Sequence, residues 1–507
     1  MFMKNRFEIK KNYMILSLFV IISAIVLFFC SKNSPFYVFN DWVDANAFFT
    51  MGKGMMNGLV PYKDLFEQKG PILYFIYGIG YLLDNDGFLG IYMLEILSST
   101  ILCYYLYKLS NLMLNSTYSF FSSILNLVVI CSSTSFVQGG SAEEFVLPLI
   151  AFGFYSFFFL IQKGDNRKYI FLNGLIAGIV TLIKFNLLGF WFSWMAVYFF
   201  YLVSRKKFKY SIQACLVFLG GMFIPILTFM IYFIINDALL DFINTYFMFN
   251  ITAYTTEISL SERVTNTFSA FCIQLNYNLD IKVSTIIALL SLFYFVYCKK
   301  SWEVIFLVFS FLLLIFGIYF GGLPFIYYYL CFTPYIIFGC IGLFKLYGYL
   351  KDKYLNSMPL DYLVYLVVVC FMTYNVHDNV NLEYYNVKKS DLAQFEFKEI
   401  IYQEDDKTLL NYDNLDGGFY TTCNIVPNVK YFMRQNVDYK RYPEIIDGQN
   451  QYIAEGKTNF VIVREYFGNF GYRNQLVDLN KNYQLVDVVE QEYEHMDFVY
   501  YLYKRKC

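Results

Sequence analysis

Histidine and charged side chains are scarce in this chain. Only His377 and His495 are histidines, so a histidine-based triad or a histidine-rich metal site is not expected. Charged residues make up 16% of the 507 residues, against about 25% in soluble proteins. No basic run is long enough to indicate nucleic-acid binding, and the formal net charge is -1. These shortages favour a membrane protein.

Motifs for nucleotide and zinc chemistry are also missing. The chain contains no P-loop, no GxGxxG after a strand and no HExxH. Its 11 cysteines include no CxxC pair, and most lie in apolar segments as small buried residues. We expect no cofactor. Asp41 and Asp44 could hold a divalent cation, but two carboxylates fall short of a convincing metal site.

Long apolar segments dominate what is present. About 20 helical residues cross the hydrocarbon core of a membrane, and most of these segments approach that length. Segment 71–83 is shorter, so we expect an interfacial or re-entrant helix there and eleven crossings in total. The predicted segments are 14–30, 71–83, 89–107, 115–132, 145–161, 170–183, 187–203, 211–235, 283–298, 303–320, 325–344 and 360–376.

Lysine and arginine predict the orientation of these crossings. With the N-terminus in the cytoplasm, every basic cluster falls on the cytoplasmic side, as the positive-inside rule requires. We therefore predict a multi-pass protein of the bacterial plasma membrane. The segments that face outward are 31–88, 236–282 and everything after about 377.

The predicted fold is an α-helical polytopic membrane protein with a small C-terminal extracytoplasmic α/β domain. The transmembrane domain covers 1–376 and the outer domain 377–507. Alternating residues in 458–467 and 497–504 predict strands of the outer domain. The turn signals between strands are Asp416-Gly417-Gly418 and Asp447-Gly448.

The first outer segment is the densest polar stretch near the membrane. Residues 44–57 predict a short amphipathic helix with Asp44 near its start, and Asp41 shares its face if the helix begins early. The alternative is that these acids are solvated, or that one caps the helix. The polar residues that follow, next to the short apolar helix, are Asp64, Glu67 and Lys69.

Other polar residues lie at predicted outer ends of crossings. Lys184 lies where the positive-inside rule disfavours it, beside Asn186. It would pair with Glu143 or Glu144, a structural role, or orient an acceptor. Lysines such as Lys69 also reach the interface without any function. In later outer segments, Tyr246, Asn250, Tyr254 and Arg263 would line a cleft for sugar and phosphate, with Tyr327 and Tyr328 nearby.

Together these residues resemble the GT-C superfamily of membrane glycosyltransferases, in particular the branch of protein O-mannosyltransferases and aminoarabinose transferases. Asp44, with Phe48 and Gly52-Lys53 after it, is similar to the family's first-loop element. The elements from Pro61 to Pro71, at Glu143-Glu144-Phe145 and at Lys184 with Asn186 are similar to further family patterns. Relatives often carry histidine where this chain has Gln68 and in the position of the Tyr327-Tyr328 pair.

The resemblance implies a single displacement on the outer face of the membrane. Asp44 would take the proton from an acceptor hydroxyl, and Asp41 would orient it. Lys69, Lys184 and Arg263 would stabilise the departing lipid phosphate. The implied donor is a polyprenyl-phosphate sugar, and the acceptor is a glycan, a teichoic acid or a protein.

Other functions remain open at this point. A polysaccharide polymerase or ligase would use polyprenyl-diphosphate glycans, but its outer loops are usually rich in arginine, which is scarce here. A transporter or flippase would place ionisable groups in mid-membrane and often shows inverted repeats, and none is visible. A simple membrane anchor would not need eleven crossings.

Overall fold

The computed structural model describes residues 2–253, 259–277, 279–322, 324–354, 360–468, 471–493 and 496–506, and most of them are helical. The helices confirm the predicted fold class. In chain order they are α1 (Phe2–Cys30), α2 (Val43–Met56), α3 (Pro71–Leu83), α4 (Leu89–Ser110), α5 (Ser116–Ser132), α6 (Ala142–Lys163), α7 (Arg167–Lys184), α8 (Gly189–Ser204), α9 (Phe208–Ile235), α10 (Leu239–Phe242), α11 (Asn250–Thr252), α12 (Leu260–Tyr277), α13 (Leu279–Tyr297), α14 (Ser301–Tyr319), α15 (Ile336–Tyr354), α16 (Leu360–His377), α17 (Ala393–Ile401), α18 (Phe419–Thr422), α19 (Glu444–Glu455) and α20 (Val477–Asn482).

Seven of the described segments are long and apolar enough to cross a membrane. Four shorter apolar helices accompany them, including α3, which has 13 residues as the sequence predicted. The count of eleven crossings stays a prediction, as does the orientation. The seven segments are Lys11–Cys30, Leu89–Ser110, Ala142–Lys163, Arg167–Ser204, Phe208–Ile235, Ser301–Tyr319 and Ile326–Lys353.

The chain divides into two compact units, which we name by their content. The helical unit comprises Met1–Ser31, Met93–Thr228 and Glu257–Glu383. The mixed unit comprises Lys32–Tyr92, Phe229–Thr256 and Tyr384–Cys507. The first outer segment thus folds with the C-terminal residues. The predicted domain boundary after 376 stays a prediction, and α16 ends at His377.

The helical unit is packed largely through aromatic rings. Phe154 of α6 contacts Phe190, Phe306, Tyr335 and Phe338 edge-on, with ring centroids 4.7–6.0 Å apart. Such edge-to-face contacts stabilise a core beyond the burial of area alone. The predicted span 325–344 is not one α-helix, because Ile326–Tyr335 forms a 3₁₀ helix that contains Pro334.

The mixed unit contains a four-stranded sheet built from its C-terminal residues. Strands β1 (Leu409–Asn411), β2 (Phe460–Tyr466), β3 (Tyr483–Tyr493) and β4 (Met496–Arg505) lie in the order β1-β2-β4-β3. Only the β1–β2 pair among them is parallel. The predicted strands at 458–467 and 497–504 are confirmed as β2 and β4.

One of the two turn predictions needs correction. Asp447-Gly448 is not a turn, because it lies inside α19, where Glu444 and Asp447 carry charges that favour a helix N-terminus. Gly448 fits there because the Tyr431 ring packs 2.5 Å from where a Cβ would be. Asp416-Gly417-Gly418 is a turn, with Gly418 at φ +90°.

Candidate active site

Asp44 lies in the first turn of α2, within one residue of the predicted helix start. Its side chain is half-buried, and among the described residues its carboxylate has no hydrogen-bond or ion-pair partner. A buried amide network fixes where the helix begins. Asn40 accepts a hydrogen bond from the Trp42 backbone N–H at 3.0 Å, and the Asn46 amide donates to the Asn40 carbonyl at 2.9 Å. The position of Asp44 is therefore set by side chains on both sides of it.

Asp41 is placed differently from Asp44. Because α2 begins at Val43, Asp41 precedes the helix and does not share a helical face with Asp44. It is 8% exposed and pairs with Lys32 at 2.5 Å. The Lys32 ammonium also lies 4.3 Å from the centre of the Tyr384 ring. The Asp41 charge is thus neutralised locally, whereas the Asp44 charge is not.

The polar face of α2 is held by the turn that follows β1. Three residues one helical turn apart make the contacts: Thr50 donates to Asp416 at 2.6 Å, Lys53 donates to the Tyr420 carbonyl at 2.8 Å, and Asn46 accepts from Thr421 at 2.8 Å. We call these contacts the α2 ladder.

Buried charges in the α2 ladder have shifted pKa values. Burial raises the pKa of Asp416 to about 6, although hydrogen bonds from Thr50 and the Gly418 N–H oppose the shift. Burial lowers the pKa of Lys53 to about 7, against the favourable charge of Asp416. Both side chains are fully buried. The ladder is therefore sensitive to pH near neutrality.

The other side of α2 packs closely on α3. A Cβ atom at Gly52 would lie 2.5 Å from the Gly78 backbone nitrogen and 2.7 Å from the Tyr74 carbonyl oxygen. Only glycine permits so close an approach of two helix backbones. Helix α2 is fixed along both faces, which limits the freedom of Asp44.

The segment between α2 and α3 is a compact polar loop. Tyr62 adopts φ +72° and donates a hydrogen bond to the Lys69 carbonyl at 2.6 Å. Asp64 accepts from the Val60 N–H at 2.7 Å, so it stabilises the turn. Glu67 is 3% exposed and accepts from the Lys69 N–H and from the Tyr74 hydroxyl. Glu67 and Lys69 thus belong to one buried network with Tyr62 and Tyr74, and half-buried Asp64 stabilises the preceding turn.

Lys69 brings a positive charge close to α2. Its side chain is 8% exposed, and its ammonium lies 5.8 Å from the centre of the Phe48 ring. Phe48 is one helical turn beyond Asp44 on α2. The Lys69 ammonium therefore lies near the aromatic side chain that follows Asp44 by one helical turn.

Asn250 and Tyr246 contact the polar loop, and their predicted place in a cleft stays a prediction. The Asn250 amide donates to the Gln68 carbonyl at 2.8 Å. Tyr246 is 1% exposed and stacks with Tyr62 and Phe242. Tyr254 lies outside the described residues.

In the helical unit, Lys184 forms an ion pair with Glu143, and both are buried. The Lys184 ammonium also lies 3.9 Å from the centre of the Tyr328 ring and 5.6 Å from that of Tyr327. The sequence named Glu143 and Glu144 as partners of Lys184, and the structure contains the first pair. This arrangement favours a structural role for Lys184, because its charge is compensated.

Two of the three remaining predicted residues of the helical unit have hydrogen-bond partners. Glu144 accepts from the Gly140 N–H at 2.8 Å at the start of α6, as an N-terminal helix residue often does. Arg263 donates to the Phe320 carbonyl at 3.3 Å. Asn186 is half-buried, and its side-chain oxygen has no partner among the described residues.

Sequence reasoning missed Lys32 and the contacts that Lys53 and Asp416 make in the α2 ladder. Lys32 carried a usable signal, because it follows the first crossing on the side where lysine is disfavoured. Asp416 was seen only as part of a turn. Its contact with α2 joins residues 366 positions apart, which no local pattern indicates.

No group of three or more metal-binding side chains (His, Cys, Asp, Glu) occurs in the part of the chain that the structure describes. The expectation that the protein needs no cofactor stays a prediction.

Comparisons with known proteins were made for sequence and fold. Residues 68–235 match the family model for dolichyl-phosphate-mannose-protein mannosyltransferases. The fold is similar to ArnT from Cupriavidus metallidurans bound to undecaprenyl phosphate, with TM-score 0.61 and 9% identity over 95% of this chain and 97% of that one. It is also similar to the apo oligosaccharyltransferase of Archaeoglobus fulgidus, with TM-score 0.51 and 13% identity over 89% and 69% of the two chains. No curated protein sequence matches at a significant level. The resemblance to the GT-C superfamily of membrane glycosyltransferases, predicted from the sequence, is thus confirmed in the fold and in the family pattern of residues 68–235.

Proposed function

We propose that this protein moves a sugar from a polyprenyl-phosphate-linked donor to a cell-envelope acceptor on the outer face of the bacterial membrane, with Asp44 as general base. The observation that carries the proposal is the half-buried Asp44 carboxylate, which has no partner among the described residues. A base must reach the hydroxyl whose proton it takes. A carboxylate held by a nearby cation would also be a poorer base.

Asp41 supports this assignment by contrast. Its carboxylate is occupied by the ion pair with Lys32. Asp41 and Lys32 instead hold the chain that enters α2. We therefore assign Asp41 a positioning role.

A lipid-linked donor is supported by the relatives. The similar ArnT structure contains undecaprenyl phosphate, and the family model is described by its use of dolichyl-phosphate mannose. In the proposed step, an acceptor hydroxyl attacks the anomeric carbon as Asp44 takes its proton. The bond from that carbon to the phosphate oxygen breaks, and the lipid phosphate leaves with the electron pair. Lys69 would stabilise its charge.

The test is a transfer assay with the full chain in proteoliposomes. Polyprenyl-phosphate hexoses serve as donors, and an envelope extract supplies glycan, teichoic acid and protein acceptors. We expect Asp44→Asn to lower the rate by about 10²–10⁴-fold, the usual contribution of a general base, while donor lipid still binds. Asp405→Asn is the matched control, because Asp405 is an exposed acid of the same unit.

The assay separates the alternatives. Full activity of Asp44→Asn would contradict the base assignment and direct attention to Glu143 and Glu144 as the remaining acids predicted at a crossing end. Transfer only from polyprenyl-diphosphate oligosaccharides would contradict a monophosphate donor and favour a polymerase or ligase.

A further inference from the structure

A cavity of about 640 Å³ lies within the mixed unit, apart from the residues proposed for catalysis. Residues of three segments line it: 32–40 before α2, 84–89 after α3, and 389–399 at the start of the C-terminal part. Small-molecule sites usually occupy about 300–1,000 Å³. The volume is therefore sufficient for a ligand of more than one ring.

One wall of the cavity is aromatic. Phe39 lies 5.7 Å from Phe88 and 5.9 Å from Phe395 between ring centroids. Phe39 and Phe88 are buried, while Phe395 is half-buried. Gly418 packs behind this wall, since a Cβ there would lie 2.5 Å from the Phe39 ring. Phe39 and Phe88 are thus fixed in place. The half-buried Phe395, whose ring centre lies 5.2 Å from the Lys389 ammonium, is the most exposed ring of this wall.

The rest of the lining is polar with balanced charge. The lining includes three lysines and four acids. It therefore carries no excess of positive charge that would favour binding of a phosphate group. Lys32 is already paired with Asp41, and Lys398 pairs with Asp86 at 3.3 Å. The polar residues of the lining that do not come from the aromatic wall are Lys32, Asn33, Ser34, Asn40, Asp84, Asp86, Lys389, Ser390, Glu396, Lys398 and Glu399.

We propose that this cavity binds a carbohydrate. Carboxylates accept hydrogen bonds from sugar hydroxyls, amides and ammonium groups complete the set, and an aromatic ring covers the apolar face of a sugar. The proposal rests on the proposed function, because that function gives two sources for such a ligand: the acceptor glycan and the sugar of the donor.

Binding is measured by saturation-transfer NMR on the purified full chain in detergent, with mannobiose and chitobiose as probes. We expect at least one disaccharide to bind. Phe395→Ala and Glu399→Gln should each weaken it about tenfold, the effect of losing one stacking face or one charge-assisted hydrogen bond. Glu399 is exposed, so its amide variant should fold normally.

Two controls locate the binding. Phe467→Ala removes an exposed ring of the same unit outside the cavity and should leave the affinity unchanged. Asp405→Asn should also leave the affinity unchanged, because Asp405 is an exposed acid that does not line the cavity. Absence of binding by the wild type, or equal affinity in the Phe395 and Glu399 variants, would overturn the proposal.

Adding a polyprenyl-phosphate hexose identifies the source of the ligand. Displacement of the disaccharide would show that the cavity holds the donor sugar, and retention would assign it to the acceptor. The NMR readout does not need catalysis. If no donor supports transfer but the disaccharide binds through Phe395 and Glu399, the proposed function fails while the carbohydrate site stands.

Discussion

The hydrogen bond between Thr50 and Asp416 gives the sharpest test of how α2 is held. Thr50 donates to Asp416 at 2.6 Å, and both side chains are fully buried. Thr50→Val keeps the shape of the side chain but removes its hydroxyl, so this oxygen of the Asp416 carboxylate loses its hydrogen-bond donor. The Gly418 N–H still donates to the other oxygen at 2.9 Å. A hydrogen bond to a charged group contributes about 1.5–3 kcal/mol, and one to a neutral group about 0.5–1.5 kcal/mol.

The cost of Thr50→Val should depend on pH. Burial raises the pKa of Asp416 to about 6, so the carboxyl is mostly protonated at pH 5 and ionised at pH 8. This folded-state pKa lies above the usual value of 3.8. The contribution of Asp416 to stability is therefore greatest below pH 3.8 and is lost as the pH rises through 6.

The pKa shift of Lys53 makes stability change with pH in the opposite direction. Burial lowers its pKa from 10.5 to about 7, so its contribution is smallest below pH 7 and recovers as the pH rises toward 10.5. Comparing Thr50→Val with wild type at each pH cancels this background.

Hydrogen exchange of the α2 amides, corrected for the intrinsic rate at each pH, measures the free energy of local opening. We expect Thr50→Val to lower it by about 1.5–3 kcal/mol at pH 8 and by about 0.5–1.5 kcal/mol at pH 5. Thr252→Val is the matched control, because exposed Thr252 only donates to the Met248 carbonyl at 2.8 Å. An equal loss at both pH values would refute the assigned ionisation of Asp416. No loss at either pH would refute the role of the α2 ladder.

Three further predictions concern packing, charge and metal. Gly52→Ala should lower the melting temperature and the transfer rate, because its Cβ would clash with the Gly78 nitrogen at 2.5 Å; thermal unfolding in detergent tests this. Lys184→Met should cost about 3–5 kcal/mol by leaving buried Glu143 unpaired, and adding Glu143→Gln should restore part of it in the same measurement. Chelation with EDTA should leave sugar transfer unchanged, and a loss restored by one divalent cation would contradict the two-carboxylate argument.

Elements with a local sequence signal were predicted well. The helix predicted at 44–57 is α2 at Val43–Met56, because its apolar and polar residues repeat with the helical period. The segments predicted as strands became β2 and β4, although both strands are buried over consecutive residues rather than on alternate ones. Apolar length alone identified α3 as too short to cross.

Contacts between distant segments were not predictable. The sequence suggested that Asp41 and Asp44 act from one helical face. In the structure, an amide network fixes the start of α2 at Val43, and Asp41 forms an ion pair with Lys32. Asp447-Gly448 has the composition of a turn. The acids in the first turn of α19 and the Tyr431 ring beside Gly448 nevertheless favour a helix there. In each case, contacts made on folding outweigh the preference of the local sequence pattern.

The division of the chain explains why the C-terminal segment is linked to catalysis in this proposal. Residues Lys32–Tyr92, which carry Asp44, fold in one unit with Tyr384–Cys507. Within that unit α2 has glycine contacts to α3 on one side and the ladder to residues 416–421 on the other. A general base contributes only when it is held at hydrogen-bond distance from its substrate. In the proposed reaction, the turn after β1 would therefore act through α2, by fixing the helix that carries the proposed base.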